Sequence, residues 1–316
     1  MKRQRLVGAG LVALGAGIAA NALLGPLALR IIGFHNSASG IDQLMGGEAI
    51  SLVVVAPLSV TAGVFWMRGH WVAPTLALAP ALYALYTYTT EIVVAQYARY
   101  PGNSEWFLPL HIGLLALGGS SAVAAWSALE AESPLIPTSR LRVAAAAALL
   151  VPSALFALNW LRQLTAYTGG ERSQEYRDDP ILWWLIKGLD LGIIIPISLA
   201  VGIGVLRNRP VAARAASGMT GFLACLVGSV AAMGAVQVAK ADPGASPALV
   251  AVAALMALGL GGVAIQLIRA ESTRHRSAAD TVTVPQPGIS VPRLDAPSHT
   301  LTLADKTHYD QVRQGG

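Results

Sequence analysis

Five ionisable or amide side chains interrupt otherwise apolar runs: Glu91, His111, Asn159, Lys187 and Asp190. Inside a lipid-filled span each is costly unless it faces protein, water or a partner, so a group of them marks a site. Carboxyl, imidazole and amine groups at one depth can hold a small polar ligand or an ion, or pass a proton. Lys187 and Asp190 are three residues apart, so on a helix both point the same way. Tyr83, Thr87 and Glu91 form an i, i+4, i+8 stripe, with Tyr86 and Tyr88 beside it. The expected site is a ligand-binding or proton-relay group of Glu91, Lys187, Asp190, His111, Asn159, Tyr83 and Tyr88. Four of its members also have a plainer reading. Lys187 and Asp190 can pair with each other, Glu91 can bond to a tyrosine, and His111 can be a packed core histidine.

No residue is assigned a catalytic role. The single Cys225 lies in an apolar run, which excludes an internal disulfide and a Cys-based metal site. P-loop, H-E-x-x-H, G-x-S-x-G and C-x-x-C-H patterns are missing from the sequence. No cofactor and no metal is expected.

The chain that must position these groups is strongly apolar. Mean hydropathy is +0.56, 54% of residues are hydrophobic and 12% are charged, where a soluble domain carries about 25% charged residues. The net charge of +5 reads as the cytoplasmic Lys and Arg excess of membrane proteins. No basic cluster with interleaved aromatics points to nucleic acid. The expected partners are the lipid bilayer, a small molecule or ion, and another membrane protein.

Eight apolar runs stand at about 6–30, 48–67, 71–97, 106–129, 142–163, 181–206, 215–239 and 246–268, each near the length a spanning helix needs. With the N-terminus inside, the cytoplasmic flanks hold twelve basic residues, from Lys2 to Arg276, and the outer flanks six, among them Arg30, Arg99 and Lys240. This predicts both termini inside, in a bacterial plasma membrane by the Ala- and Gly-heavy usage. The start of the chain has a rival reading, because Met1–Arg5, the apolar run and Ala20-Asn21-Ala22 also fit a cleaved secretory signal. With both termini inside, the site lies in the outer half of the membrane. The 164–180 segment, with its mixed charges, reads as a solvated outer loop.

Two stretches match at one offset. Pro57, Ser59, Gly63 and Arg68 recur as Pro196, Ser198, Gly202 and Arg207, all 139 residues later, and Ala131-Glu132-Ser133 recurs as Ala270-Glu271-Ser272. Asn21 and Asn159 fall at matching places at offset 138. The polar residues diverge, since Glu48 and Ser51 align with Lys187 and Asp190, and Glu91 aligns with Val230. The fold expected is all-α, a polytopic bundle of eight transmembrane helices. It is built as two parallel four-helix repeats, residues 1–134 and 135–272, followed by a disordered cytoplasmic tail over 273–316. Pro57 and Pro196 are expected to kink their helices, as hinges or as packing features.

The Tyr86–Tyr97 segment, WFLPLHIGLLALG at 106–118 and LDLGIIIPISLAVGIGVLRNRP at 189–210 resemble an uncharacterised group of bacterial multi-pass membrane proteins. The resemblance covers about 48–210. That group has no assigned activity, so the resemblance implies a multi-pass protein and nothing about function. The residues support three functional readings: a small-solute or proton-linked transporter or sensor, an accessory or scaffold subunit, and an intramembrane enzyme acting on a lipid-like substrate.

Overall fold

The computed structural model describes residues 2–129, 136, 138–242 and 245–283, with side chains to 273. Among the described residues all regular structure is helical. In chain order the helices of these residues are α1 Lys2–Leu24, α2 Ala38–Met67, α3 Ala73–Val93, α4 Leu108–Ala128, α5 Ser139–Thr168, α6 Gln174–Asp178, α7 Pro180–Leu206, α8 Pro210–Ala239 and α9 Pro247–Thr283. The described residues up to 275 form one compact unit. The Ala131-Glu132-Ser133 match, the proposed boundary at 134 and the tail from 284 onward lie outside the described residues. α9 continues to Thr283, so the ten residues after 273 are helical where an unstructured tail was expected.

Seven helices are long and apolar enough to cross a membrane: α1, α2, α4, α5, α7, α8 and α9 to Thr273. Their outward faces carry bare aliphatic side chains, such as Val123 at 68%, Leu158 at 66% and Leu258 at 74% exposure. In water such surfaces would aggregate, whereas lipid tails cover them at no cost. This is an integral membrane protein. α3 has the length of an eighth span but is too polar to stand with the seven, because tyrosines, threonines and Glu91 fill its second half. It is enclosed by α2, α4, α7 and α8 instead.

α2 begins ten residues before its expected start. Ser37 caps it, its hydroxyl accepting from Gly40 N–H at 3.0 Å, and the Gly-rich stretch 38–47 is helical rather than loop. The reason is packing. A Cβ on Gly46 would lie 2.3 Å from the Met233 nitrogen, so glycine lets α2 lie directly on α8. Ser39 and Asp42 then reach Gln237, Lys240 and Asp242 at the end of that contact. Glycine serves α1 and α2 the same way: a Cβ on Gly8 or Gly15 would meet the backbone oxygens of Gly63 or Ala56 at 2.7 Å. Close approach of small residues is the usual basis of helix association in lipid.

Neither Pro57 nor Pro196 breaks its helix. Each comes just after a single π-helical turn, Ser51–Val55 in α2 and Asp190–Ile194 in α7. A proline ring clashes with the carbonyl four residues back. The wider turn moves that carbonyl away, and five-residue bonds from Ala56 N–H to Ser51 O and from Ile195 N–H to Asp190 O carry the helix across it. The two turns stand 139 residues apart, as do the ends of α2 and α7 and the left-handed residues Gly69 and Asn208 beyond them. π-turns of this kind gather at functional positions.

Gly46→Ala tests the packing account. We expect a loss of about 2 kcal/mol from overpacking against backbone, read as earlier labelling of buried Cys225 by a maleimide dye on heating. Gly259→Ala, where nothing lies within 4 Å, should unfold no earlier than the parent.

Candidate functional site

Asn21, Glu48, Glu91 and His111 come from four different helices, α1 to α4, and meet in one buried cluster. Asn21 is the hub. Its Nδ2 donates to Glu48 Oε1 at 2.6 Å and to Glu91 Oε2 at 3.4 Å, while its Oδ1 lies 3.0 Å from His111 Nε2. His111 Nε2 is also 3.7 Å from Glu91 Oε2. The amide orientation is set by this network, since only Nδ2 can serve two carboxyls and only Oδ1 can accept from the ring. His111 is flanked by Phe34 at 5.9 Å and Tyr88 at 6.1 Å, both stacked. The two carboxyls share Asn21 Nδ2 and line the same cavity. Two acids side by side need something positive between them, either a shared proton or a cation.

The carboxyl pair faces a cavity of about 70 Å³ whose lining includes Glu48, Ser51, Tyr83, Tyr86, Thr87 and Glu91. Glu48 Oε2 is buried and has no partner among the described residues. Tyr83 sits on the far wall, its hydroxyl 2.6 Å from Ser229 and 3.1 Å from Ser51. The Tyr83, Thr87, Glu91 stripe therefore faces one space, as its spacing predicts. Tyr88 points elsewhere, to His111.

Lys187 and Asp190 lie in a second group, which Tyr86 joins to the first. Tyr86 lines the cavity and donates to Asp190 Oδ1 at 3.0 Å, and Trp160 Nε1 donates to Asp190 Oδ2 at 2.8 Å. Lys187 makes no ion pair with Asp190. Its ammonium stands 3.8 Å from the Trp183 ring centre and 4.4 Å from that of Trp160. The turn from α to π geometry begins at Asp190, so plain helical spacing misjudges how these two side chains meet. Asn159 joins neither group. It is half-buried, and no side-chain hydrogen bond ties it to another described residue. Its neighbour Trp160 stands 139 residues after Asn21, the offset of the Pro-Ser-Gly-Arg match.

Three connecting segments cap this end of the bundle. Asp179 is 5% exposed and accepts from the Ser37 hydroxyl and the Gln96 amide. The expected solvated loop is thus partly interior, and its last acid ties 31–37 and 94–107 to the start of α7. Tyr100 Oη donates to Asp178 O at 2.8 Å. His35 bonds Tyr100 O through Nδ1 and Glu105 Oε2 through Nε2, at 2.8 and 2.7 Å. Both partners are acceptors, so only the doubly protonated ring satisfies them. Burial alone would lower the His35 pKa, but the Glu105 and Tyr100 bonds outweigh it and hold the ring above its usual 6.5.

Glu48, Asn21, Tyr86 and Trp160 escape a search for charges within spans. Glu48 stands at the edge of an apolar run, Asn21 is neutral, and Trp160 reads as an interface aromatic. The signal available was Glu48 itself, which the 139-residue offset pairs with Lys187. Comparison with protein-family models, curated proteins and solved structures finds no match to this chain.

Asn21→Leu should strand Glu48 and His111 in a dry interior. We expect a loss of about 3 kcal/mol, read by thermal unfolding in detergent, whereas Asn159→Leu should change the midpoint little.

Proposed function

We propose that this protein is a proton-linked transporter whose polar site lies in the outer half of the membrane, with both termini cytoplasmic. The observation that carries the reading is the Glu48–Glu91 pair. Two buried acids share one amide and line one cavity, a histidine lies alongside, and one buried carboxyl oxygen of Glu48 has no partner among the described residues. A pair of this kind can take up or release a positive charge with little movement of its neighbours. Hydroxyls of Tyr83, Ser51 and Tyr86 extend the polar lining toward Asp190.

The matched π-turns, helix ends and packing support a history of duplication. α1 packs on α2 as α5 packs on α7, α2 meets α3 as α7 meets α8, and α2 crosses to α8 as α7 crosses to α3. In this reading α3 is the eighth span, the counterpart of α8, and the axis relating the halves passes between them. Parallel repeats with a site at their junction are a transporter architecture.

The test is proton flux into proteoliposomes of the full chain, with an internal pH dye, an imposed gradient and a potassium–valinomycin clamp. Flux above that of empty vesicles, lost about tenfold or more in both Glu48→Gln and Glu91→Gln, is expected if each carboxyl carries the charge. Flux equal to empty vesicles, or undiminished in both variants, would overturn the reading.

A further inference from the structure

The second polar group holds an imbalance opposite to the first. Lys187 occupies the place of Glu48 in the other half, three residues before the π-turn, and Trp160 the place of Asn21. Where Asn21 donates to Glu48, the Trp160 ring instead lies against the Lys187 ammonium, and its N–H goes to Asp190. Lys187 is 3% exposed, yet no ion pair reaches it among the described residues. Both oxygens of Asp190 are already engaged, by Tyr86 and Trp160.

A second donor beside the ammonium also lacks an acceptor. Trp183 is 4% exposed and its Nε1–H is buried and unpartnered among the described residues. The ammonium is 3.8 Å from the centre of the same indole. A buried cation and a buried N–H, adjacent and without an acceptor, leave two unmet demands for one kind of atom. A buried donor without a partner is rare and costly. We propose that Lys187 and Trp183 form an anion site for a carboxylate or phosphate group. One oxygen would pair with the ammonium, a second would accept from the indole N–H, and Trp160 would form the apolar wall. The oxyanion can belong to a soluble solute or to a lipid headgroup, since the adjoining Trp184 is 46% exposed on the surface of α7. The site goes beyond the proton-linked reading and does not require it, because it is read by binding.

The experiment uses the detergent-purified full chain. In one arm acetate and inorganic phosphate are titrated while tryptophan fluorescence is monitored. In the other, retained phosphatidylglycerol and phosphatidylcholine are compared by native mass spectrometry. Lys187→Met and Trp183→Phe are the variants, the second keeping a smaller aromatic ring without an N–H donor, and Gly259→Ala, outside both polar groups, is the control. Saturable binding in the first arm, or selective retention of phosphatidylglycerol in the second, is expected. It should weaken about tenfold in Lys187→Met and several-fold in Trp183→Phe, as for loss of a charged and then a neutral hydrogen bond, and persist in Gly259→Ala. The arm that responds identifies the source of the oxyanion. If Lys187→Met does not fold, undiminished binding in Trp183→Phe overturns the site and weakened binding supports it. No binding in either arm, or equal binding in wild type and both variants, also overturns it. Failure of proton flux with this binding intact would count against the transporter reading alone.

Discussion

A polar group far from water must be answered by another polar group, and at the core of this bundle one amide does most of the answering. Asn21 has a single carboxamide, yet it serves two acids and an imidazole drawn from three other helices. The constraint works in both directions. The helices must come together for the acids to be tolerated, and the acids must be present for Asn21 to be tolerated. In lipid, where burying apolar surface gives little drive for helices to associate, such a knot and close glycine contacts are what fix their arrangement. Glycines at 8, 15 and 46 bring the backbones near enough for short side chains to meet.

The two prolines solve a different problem. Each would break a regular helix, and each is preceded by one wide turn that restores the ladder. The wide turn also rotates the N-terminal part of the helix relative to the C-terminal part. Glu48 and Lys187 lie just before these turns, and Ser51 and Asp190 open them. A rigid apolar half-helix beyond the proline is thus joined to a segment carrying a charge, in both halves of the chain. With Tyr86 lining one group and bonded to the other, the charged segments share a single polar seam along α3.

Much of this was legible in the residues and some was not. The apolar runs located the helices because span length is set by bilayer thickness, and the period of 3.6 aligned Tyr83, Thr87 and Glu91 toward one space. The Pro-Ser-Gly-Arg match marked the places in α2 and α7 where a π-turn precedes the proline. The start of α2 was missed because a Gly- and Ser-rich stretch resembles loop until a partner helix lies against it. Asn159 was favoured over Trp160 because an amide is polar and an indole is mostly not. Only the fold reveals that the tryptophan holds the carboxylate of Asp190. Asp179 read as solvent-facing because charge runs usually are, and its burial depends on Ser37 and Gln96, which are distant in sequence.

The claim on which the rest depends is that Glu48 and Glu91 act on each other through a shared interior. A double-mutant cycle with Glu48→Gln, Glu91→Gln and the double variant, read as unfolding free energy in detergent, measures that directly. Groups in one network depart from additivity by about 1 kcal/mol or more, and that departure is the predicted result. Additivity to within about 0.3 kcal/mol, the behaviour of distant independent sites, would contradict the account.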